Sequence, residues 1–212
     1  MLIIGAGGFA KELLFMLSKV KIETELTFYD DITEDKGRQF LEKFAVLNNE
    51  EELKNYFINK TKQYIIGVAK PAYRKSIYNK INALGGNCTT IYSPTADIGK
   101  FENNFGEGVI VMDKVIVETS DTIGKGTLIH CNSFISHDVT IGDFCEISPF
   151  VKLLGNVTVG NCCAIGTGAI LLPGITIGDN VVIGAGAVVT KNISSNETAV
   201  GIPAQVVKKN NQ

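Results

Sequence analysis

Hydrophobic positions change their spacing once along this chain, near residue 95. Before that point, strand-like and helix-like runs alternate. Residues 2–4 are a short apolar run that ends in glycines, and residues 9–17 have helical spacing, with Leu13, Leu14 and Leu17 on one side. Residues 26–29 read as a second strand, stopped by Asp30-Asp31, and a charged helix follows at about 50–59. Residues 63–68 read as a strand, 72–84 as a helix ended by Gly85-Gly86, and 88–92 as a last strand before Ser93-Pro94. This βαβ alternation predicts a small parallel sheet flanked by helices over residues 1–92, a half-Rossmann-like α/β domain.

Beyond residue 95 the helical period is replaced by a period of six. Every sixth residue from 105 is apolar: Phe105, Val111, Val117, Ile123, Ile129, Ile135, Ile141, Ile147, Leu153, Val159, Ile165, Leu171, Ile177, Ile183 and Val189. By chance this would occur about once in a hundred thousand sequences of this composition. Glycine follows directly at Gly124, Gly142, Gly160, Gly166, Gly178 and Gly184. A second column, four residues after the first, is mostly small or β-branched, from Val109 and Val115 through Asp121, Thr127 and Ser133 to Ala187. One large and one small inward residue per six suits a flat face with a tight corner. Three faces make a coil of eighteen residues, and five coils are expected over about 105–194, within a second domain at 93–212. An ordinary sheet has a period of two and does not place glycine at a fixed phase of six.

Composition narrows the functional classes. The chain has 212 residues, 45% hydrophobic and 20% charged, ordinary for a globular protein. Its net charge of −2 lacks the basic excess that neutralises phosphates, so nucleic acid is not an expected partner. No apolar run approaches the roughly 20 residues that span a bilayer, and residues 1–5 lack a signal peptide's basic start, so neither a membrane nor export is expected. Five cysteines without a CxxC pair fit a reducing cytoplasm better than a disulfide framework or a zinc ribbon. Only two histidines exist, His130 and His137.

The glycine-punctuated repeat resembles the hexapeptide-repeat acyltransferases, whose fold is a left-handed parallel β-helix. The tail Val200-Gly201-Ile202-Pro203-Ala204 is similar to theirs. Ile4-Gly5-Ala6-Gly7-Gly8-Phe9-Ala10, Phe28-Tyr29-Asp30-Asp31 and Arg74-Lys75-Ser76-Ile77-Tyr78 resemble the sugar acyltransferases of the NeuD/PglD type. The resemblance covers nearly the whole chain. It implies an acetyl-CoA-dependent N-acetyltransferase acting on a nucleotide-linked amino sugar in polysaccharide or glycan biosynthesis, with sugar O-acetylation, as on sialic acid, as the alternative. It also implies a homotrimer with the acetyl-CoA groove between subunits.

His137 lies two positions after inward Ile135, so it points out of the coil, and Asp138 follows it. A carboxylate beside an imidazole fixes its tautomer and raises its basicity. The run Ile135-Ser136-His137-Asp138-Val139-Thr140-Ile141-Gly142 resembles the family's catalytic stretch, which implies His137 as general base and Asp138 as its support. Residues eighteen apart stack, so Gly155 falls beside His137 and leaves room for a thioester. Thr167 and Ala185 form another stacked pair, where the resemblance implies contacts to the pantetheine arm. His130 also follows an inward residue, at a different corner, and the resemblance implies a sugar contact there.

The loop Gly5-Ala6-Gly7-Gly8-Phe9-Ala10 fits G-x-G-x-x-A between a strand and a helix, where backbone N–H groups can approach a phosphate. Asp30 ends the next strand, where an acid can meet a ribose hydroxyl. Alone this would suggest a dinucleotide, but 92 residues hold one mononucleotide half. Gly5, Gly7, Gly8, Phe9, Asp30 and Asp31 are therefore the expected substrate contacts, to which the resemblance adds His130. Relatives that take a UDP-amino sugar often have histidine or serine in this loop, where Gly7 and Phe9 stand here. A γ-type carbonic anhydrase shares the β-helix but needs three zinc-binding histidines, so no metal is expected. A non-catalytic scaffold is disfavoured by His137-Asp138 beside Gly155.

Overall fold

A computed structural model describes residues 1–19, 26–32 and 39–210 of the chain. Its contacts divide it into two units: Met1–Ala69 with Tyr73–Thr90, and Lys70–Ala72 with Ile91–Gln212.

In the first unit, six strands form one sheet. They are β1 (Leu2–Ile4), β2 (Thr27–Tyr29), β3 (Gln39–Phe40), β4 (Phe44–Leu47), β5 (Gln63–Ile66) and β6 (Asn87–Cys88), in the order β3-β4-β2-β1-β5-β6. All pairings are parallel except β3 with β4. Three helices accompany them: α1 (Gly8–Ser18), α2 (Glu50–Asn59) and α3 (Pro71–Ala83). Helix α1 buries Phe9, Ala10, Leu13, Met16 and Leu17. Met16 therefore takes the core place expected of Leu14, which is only half-buried. Asn49 caps α2 by accepting the N–H of Glu52, and three glutamates in its first turn complement the helix dipole. The chain leaves β1 toward β2 on one side and later returns to β5 on the other. That reversal opens a crevice at the carboxyl ends of β1, β2 and β5.

The second unit is a left-handed parallel β-helix of two-residue rungs in three sheets. One sheet stacks Ile91–Tyr92, Ile110–Val111, Leu128–Ile129, Glu146–Ile147, Ala164–Ile165 and Val182–Ile183, then Glu197–Val200, which turns back into antiparallel Gln205–Lys209. The second runs from Asp97–Ile98 to Val188–Val189, and the third from Asn104–Phe105 to Thr176–Ile177. Each rung pairs with residues eighteen positions away for most of the stack, for example Ile135 with Leu153 and Ile141 with Val159. From Val111 onward the first inward column is buried throughout, and so is the whole second column, including Asp121, Thr127 and Ser133.

Two expectations need correction here. The run 88–92 is not one strand: Asn87–Cys88 belongs to the N-terminal sheet, and Ile91–Tyr92 is the first rung of the β-helix. The β-helix therefore begins about one coil before residue 105. The seven-residue step from Ile98 to Phe105 hides that coil from a strict period of six.

The corners explain the glycine phase. A Cβ at Gly124 would lie 2.4 Å from the backbone of Gly142, and one at Gly142 would lie 2.7 Å from that of Gly160. Adjacent coils approach so closely at these corners that only glycine leaves room. Two residues later in each corner the backbone enters the left-handed region, and this recurs every sixth residue from Gly108 to Gly186. Asp138 occupies one of these places, with φ +60°. Asp and Asn tolerate that conformation better than most residues.

Candidate active site

Three of the expected residues meet at one corner of the β-helix. His137 and Asp138 lie between the rungs Phe134–Ile135 and Thr140–Ile141. The left-handed turn at Asp138 brings its carboxylate back onto the ring, and His137 Nδ1 lies 2.7 Å from Asp138 Oδ2. In the neutral imidazole this bond fixes the proton on Nδ1 and leaves the Nε2 lone pair free to accept a proton. The hydrogen bond and charge of Asp138, with the further carboxylates Glu118 and Asp121, raise the His137 pKa above its ordinary value of 6.5 against a small opposing desolvation. Both side chains are about half exposed, so the imidazole stands where a second molecule can reach it.

Gly155 stacks on this corner from the next coil. A Cβ there would lie 2.7 Å from both Cε1 and Nε2 of His137. The glycine thus makes room for the ring and leaves backbone alone beside the basic nitrogen. The corner is tied on both sides: Asn156 N–H donates to the His137 carbonyl at 3.1 Å, and Asp138 N–H donates to the Thr119 carbonyl at 3.1 Å. Glu118 adds a side-chain tether. Its Oε2 accepts the Ser136 hydroxyl at 2.8 Å and the His137 N–H at 3.1 Å. Sequence reasoning missed Glu118, although the stacking period of eighteen connects it to Ser136.

His130, Thr167 and Ala185 are not at the His137 corner. They lie along the preceding edge, each in the corner that follows a rung of the first sheet. Thr167 and Ala185 are exposed, and Gly186 N–H donates to the Thr167 carbonyl at 2.8 Å. His130 was expected as an outward imidazole. Instead its ring is buried, with Nε2 3.5 Å from Glu146 Oε1 on the neighbouring coil.

The remaining expected residues surround the crevice of the first unit. A cleft of about 410 Å³ is lined by Gly5–Phe9, by Tyr29, Asp30, Asp31 and Ile32, and by Gly67, Val68 and Ala69 on the opposite loop. That volume falls within the range of small-molecule sites. Gly5 has φ +99°, and a Cβ there would meet Val68 Cγ2 at 2.8 Å, so the two loops are closely apposed. By contrast, a Cβ at Gly7 or Gly8 would meet nothing within 4 Å. Their smallness serves open space rather than packing. Gly7 is the N-cap of α1 and brings no side-chain cap, and the first turn carries no acid. That leaves a helix N-terminus suited to an anion.

Asp30 holds the loop in this shape. Its Oδ2 accepts the Ala6 N–H at 3.0 Å, and its Oδ1 accepts the Ile32 N–H at 3.3 Å. Asp31 is 2.5 Å from Lys80 Nζ and accepts the Tyr29 hydroxyl at 2.9 Å. Burial works to raise its pKa, but the hydrogen bonds from Lys80 and Tyr29, with the Lys80 charge, hold it below the usual value. Tyr29 and the 67–69 loop line the cleft and Lys80 reaches Asp31; these contacts were not foreseen, because long-range packing makes them. Phe9 lines the cleft but is itself buried, so it shapes the wall more than it offers a contact surface.

Among the described residues no group of three His, Cys, Asp or Glu side chains could hold a metal ion. No helix among them is long and apolar enough to cross a membrane. The five cysteines are free thiols, and Cys145 and Cys163 fill the small inward column.

Comparison with known proteins agrees with both units. Residues 1–81 match the PglD N-terminal domain, and residues 122–155 and 156–191 match the bacterial transferase hexapeptide (six repeats). The chain is 29% identical over 159 residues to a GDP-perosamine N-acetyltransferase of Escherichia coli O157:H7, covering 72% of this chain and 69% of the relative. Its fold superimposes with a TM-score of 0.90 on a histidine-to-asparagine variant of perosamine N-acetyltransferase from Caulobacter crescentus, solved with CoA and GDP-perosamine. That match has 26% identity and covers 98% of this chain and 96% of the other. The acetyltransferase domain of PglB from Neisseria gonorrhoeae FA1090, solved with acetyl coenzyme A, superimposes with a TM-score of 0.85 at 28% identity, covering 97% and 98% of the two chains. With a match to the PglD N-terminal domain, a hexapeptide-repeat β-helix and near-complete overlap with these enzymes, this chain is similar to the hexapeptide-repeat sugar acyltransferases of the NeuD/PglD type and is an acetyltransferase.

Proposed function

We propose that this acetyltransferase transfers the acetyl group of acetyl-CoA to the amine of a nucleotide-linked amino sugar, with His137 as general base. The observation that carries this reading is the His137–Asp138 contact of 2.7 Å, with Nε2 against the bare backbone of Gly155. The amine nitrogen forms a bond to the thioester carbonyl carbon while His137 Nε2 accepts its proton. Asp138 stabilises the resulting imidazolium. Collapse of the tetrahedral adduct breaks the C–S bond, and the departing thiolate recovers the proton. General-base catalysis of this kind is worth about 10² to 10⁴ in rate. No nucleophilic serine or cysteine takes part.

The Gly5–Phe9 loop and the N-terminus of α1 would hold the diphosphate. Asp31, beside Lys80 and Tyr29, would face the nucleoside. Similar enzymes are named for GDP-perosamine, so a GDP-linked amino sugar is the first substrate to test. Gly155, Thr167 and Ala185 fit a long thin cosubstrate, because they offer backbone groups without bulk. His137 and the Thr167–Ala185 pair stand on different edges of one β-helix. A homotrimer, in which one subunit's edge faces a neighbour's, would unite them in three composite sites. Acetyl-CoA as donor assigns the enzyme to the cytoplasm.

The test is thiol release from acetyl-CoA against a panel of GDP- and UDP-linked amino sugars and free sialic acid, with product mass and alkali stability recorded. An alkali-stable monoacetylated amino sugar is the expected product. Turnover with sialic acid alone, giving an alkali-labile ester, would replace this reading with O-acetylation.

A further inference from the structure

The small inward column carries five polar side chains, Asp121, Thr127, Ser133, Cys145 and Cys163, all buried. Four of them bond alike. Thr127 Oγ1 donates to the Gly142 carbonyl at 2.8 Å, and Ser133 Oγ donates to the Ser148 carbonyl at 3.0 Å. Cys145 Sγ donates to the Gly160 carbonyl and Cys163 Sγ to the Gly178 carbonyl, each at 3.0 Å. The acceptor is always fifteen residues on, the first residue of a corner in the next coil. Thr127 Oγ1 also accepts the N–H of Cys145, eighteen residues on, at 3.0 Å.

Asp121 makes the second of these contacts: its Oδ1 accepts the Val139 N–H at 2.8 Å. Its Oδ2 is buried with no hydrogen-bond partner. The carbonyl fifteen residues on is that of Ser136, and no backbone N–H among the described residues donates to it. Two acceptors in register, each without a donor, lack one hydrogen between them. Leaving a buried acceptor without a donor costs its desolvation without return.

We propose that Asp121 is a neutral carboxylic acid whose Oδ2–H donates to the Ser136 carbonyl, making it a positioning residue that clamps both ends of the corner bearing His137 and Asp138. The proposal rests on the reading of His137 as the base. The acid would hold Ser136 and Val139 at once, with the two reacting-site residues between them. The ionisable groups facing it are Glu118, His137 and Asp138, while Asn103 on the preceding coil is neutral and accepts the Asp121 N–H at 2.9 Å. Burial pushes the Asp121 carboxyl up to about 6; the Val139 N–H and His137 oppose this, and Asp138 and Glu118 add to it. Donation from the protonated form to a carbonyl raises it further.

The test is a carboxyl ¹³C titration of the full-length protein labelled at aspartate, with Asp121→Asn used to assign the signal. The expected result is that Asp121 stays protonated through the pH range in which His137 titrates, far above the ordinary aspartate value near 3.9, and an Asp121 midpoint below that of His137 overturns the proposal. In kinetics, Asp121→Asn can make both bonds, whereas Asp121→Val makes neither. The valine variant is expected to lose roughly tenfold to a hundredfold in kcat at unchanged KM for acetyl-CoA, and the asparagine variant to recover most of that loss. The pH midpoint of the asparagine variant's rate should match the native enzyme, because no charge is removed. Equal losses in both variants, or a lowered midpoint in the asparagine variant, would show an ionised Asp121 and overturn the proposal. The carboxyl titration does not depend on what His137 does, so failure of the base assignment would appear separately, as full activity in His137→Ala.

Discussion

Gly155 and His137 are eighteen residues apart and fit together so closely that a single methyl group on Gly155 would lie 2.7 Å from the imidazole Nε2. The ring has to turn away if that methyl is added, and its bond to Asp138 has to break or lengthen. Gly155→Ala is therefore expected to lower kcat by roughly tenfold to a hundredfold, the cost of displacing a reacting group by about an ångström. Because the His137 side chain is about half exposed and can swing into solvent, the melting temperature should move little. Steady-state kinetics beside a thermal melt check both parts. An unchanged kcat would mean that the ring position is unimportant.

With His137 as the proposed base, the Asp138 carboxylate would set the pH at which it is ready. Its hydrogen bond and charge raise the His137 pKa, so the rate should climb with pH through a midpoint above 6.5 as the imidazole loses its proton. Asp138→Asn removes the negative charge and the stronger acceptor. The midpoint should move to lower pH while the plateau rate falls. A pH–rate profile of both proteins reads the shift, and a midpoint that stays put would separate Asp138 from the base.

Glycines of the Gly5–Phe9 loop divide by what surrounds them. Gly5 combines φ +99° with a 2.8 Å approach to Val68, so Gly5→Ala should cost about 1–3 kcal/mol of stability. Gly7 has ordinary backbone angles and open space, so Gly7→Val should leave the melting temperature nearly unchanged. It should instead raise KM for the nucleotide-linked sugar by about tenfold, which corresponds to roughly 1.4 kcal/mol of binding. Thermal melts and substrate titrations on both variants separate the two roles.

Corner glycines of the β-helix make a purely structural prediction. Gly124→Ala places its methyl 2.4–2.5 Å from the backbone of Gly142 and Asp143, atoms that cannot rotate aside. The coils would have to part locally, at a cost of several kcal/mol. Denaturant unfolding measures this directly, and a native-like midpoint would contradict the account of the glycine phase.

Much of this architecture was legible because a period of six survives substitution at any one position. Ile123, Ile135 and Ile141 announced the inward column, and the unit of eighteen brought Gly155 to His137. The same period failed at Ile98–Phe105, where one extra residue shifts the phase and concealed the first coil. In the N-terminal unit, β3 is too short at two residues to carry a period, and β4 (Phe44–Leu47) was not read although it is as long as β5. His137-Asp138 stood out as adjacent residues with complementary chemistry. Glu118 did not, since its role depends on stacking beneath Ser136, and Lys80 did not, since only the packed fold brings it to Asp31. The burial of His130 was invisible for a related reason: direction along a coil can be read from phase, but a neighbouring side chain such as Glu146 covers it from another rung.

The central claim is that His137 takes the amine's proton as the acetyl group is transferred. The most direct measurement is the rate of thiol release by His137→Ala and His137→Asn beside the native enzyme, at saturating acetyl-CoA and a turned-over nucleotide-linked amino sugar. The account predicts a fall in kcat of about 10² to 10⁴ in both variants, with KM for acetyl-CoA little changed. Native-like turnover in either variant would contradict it.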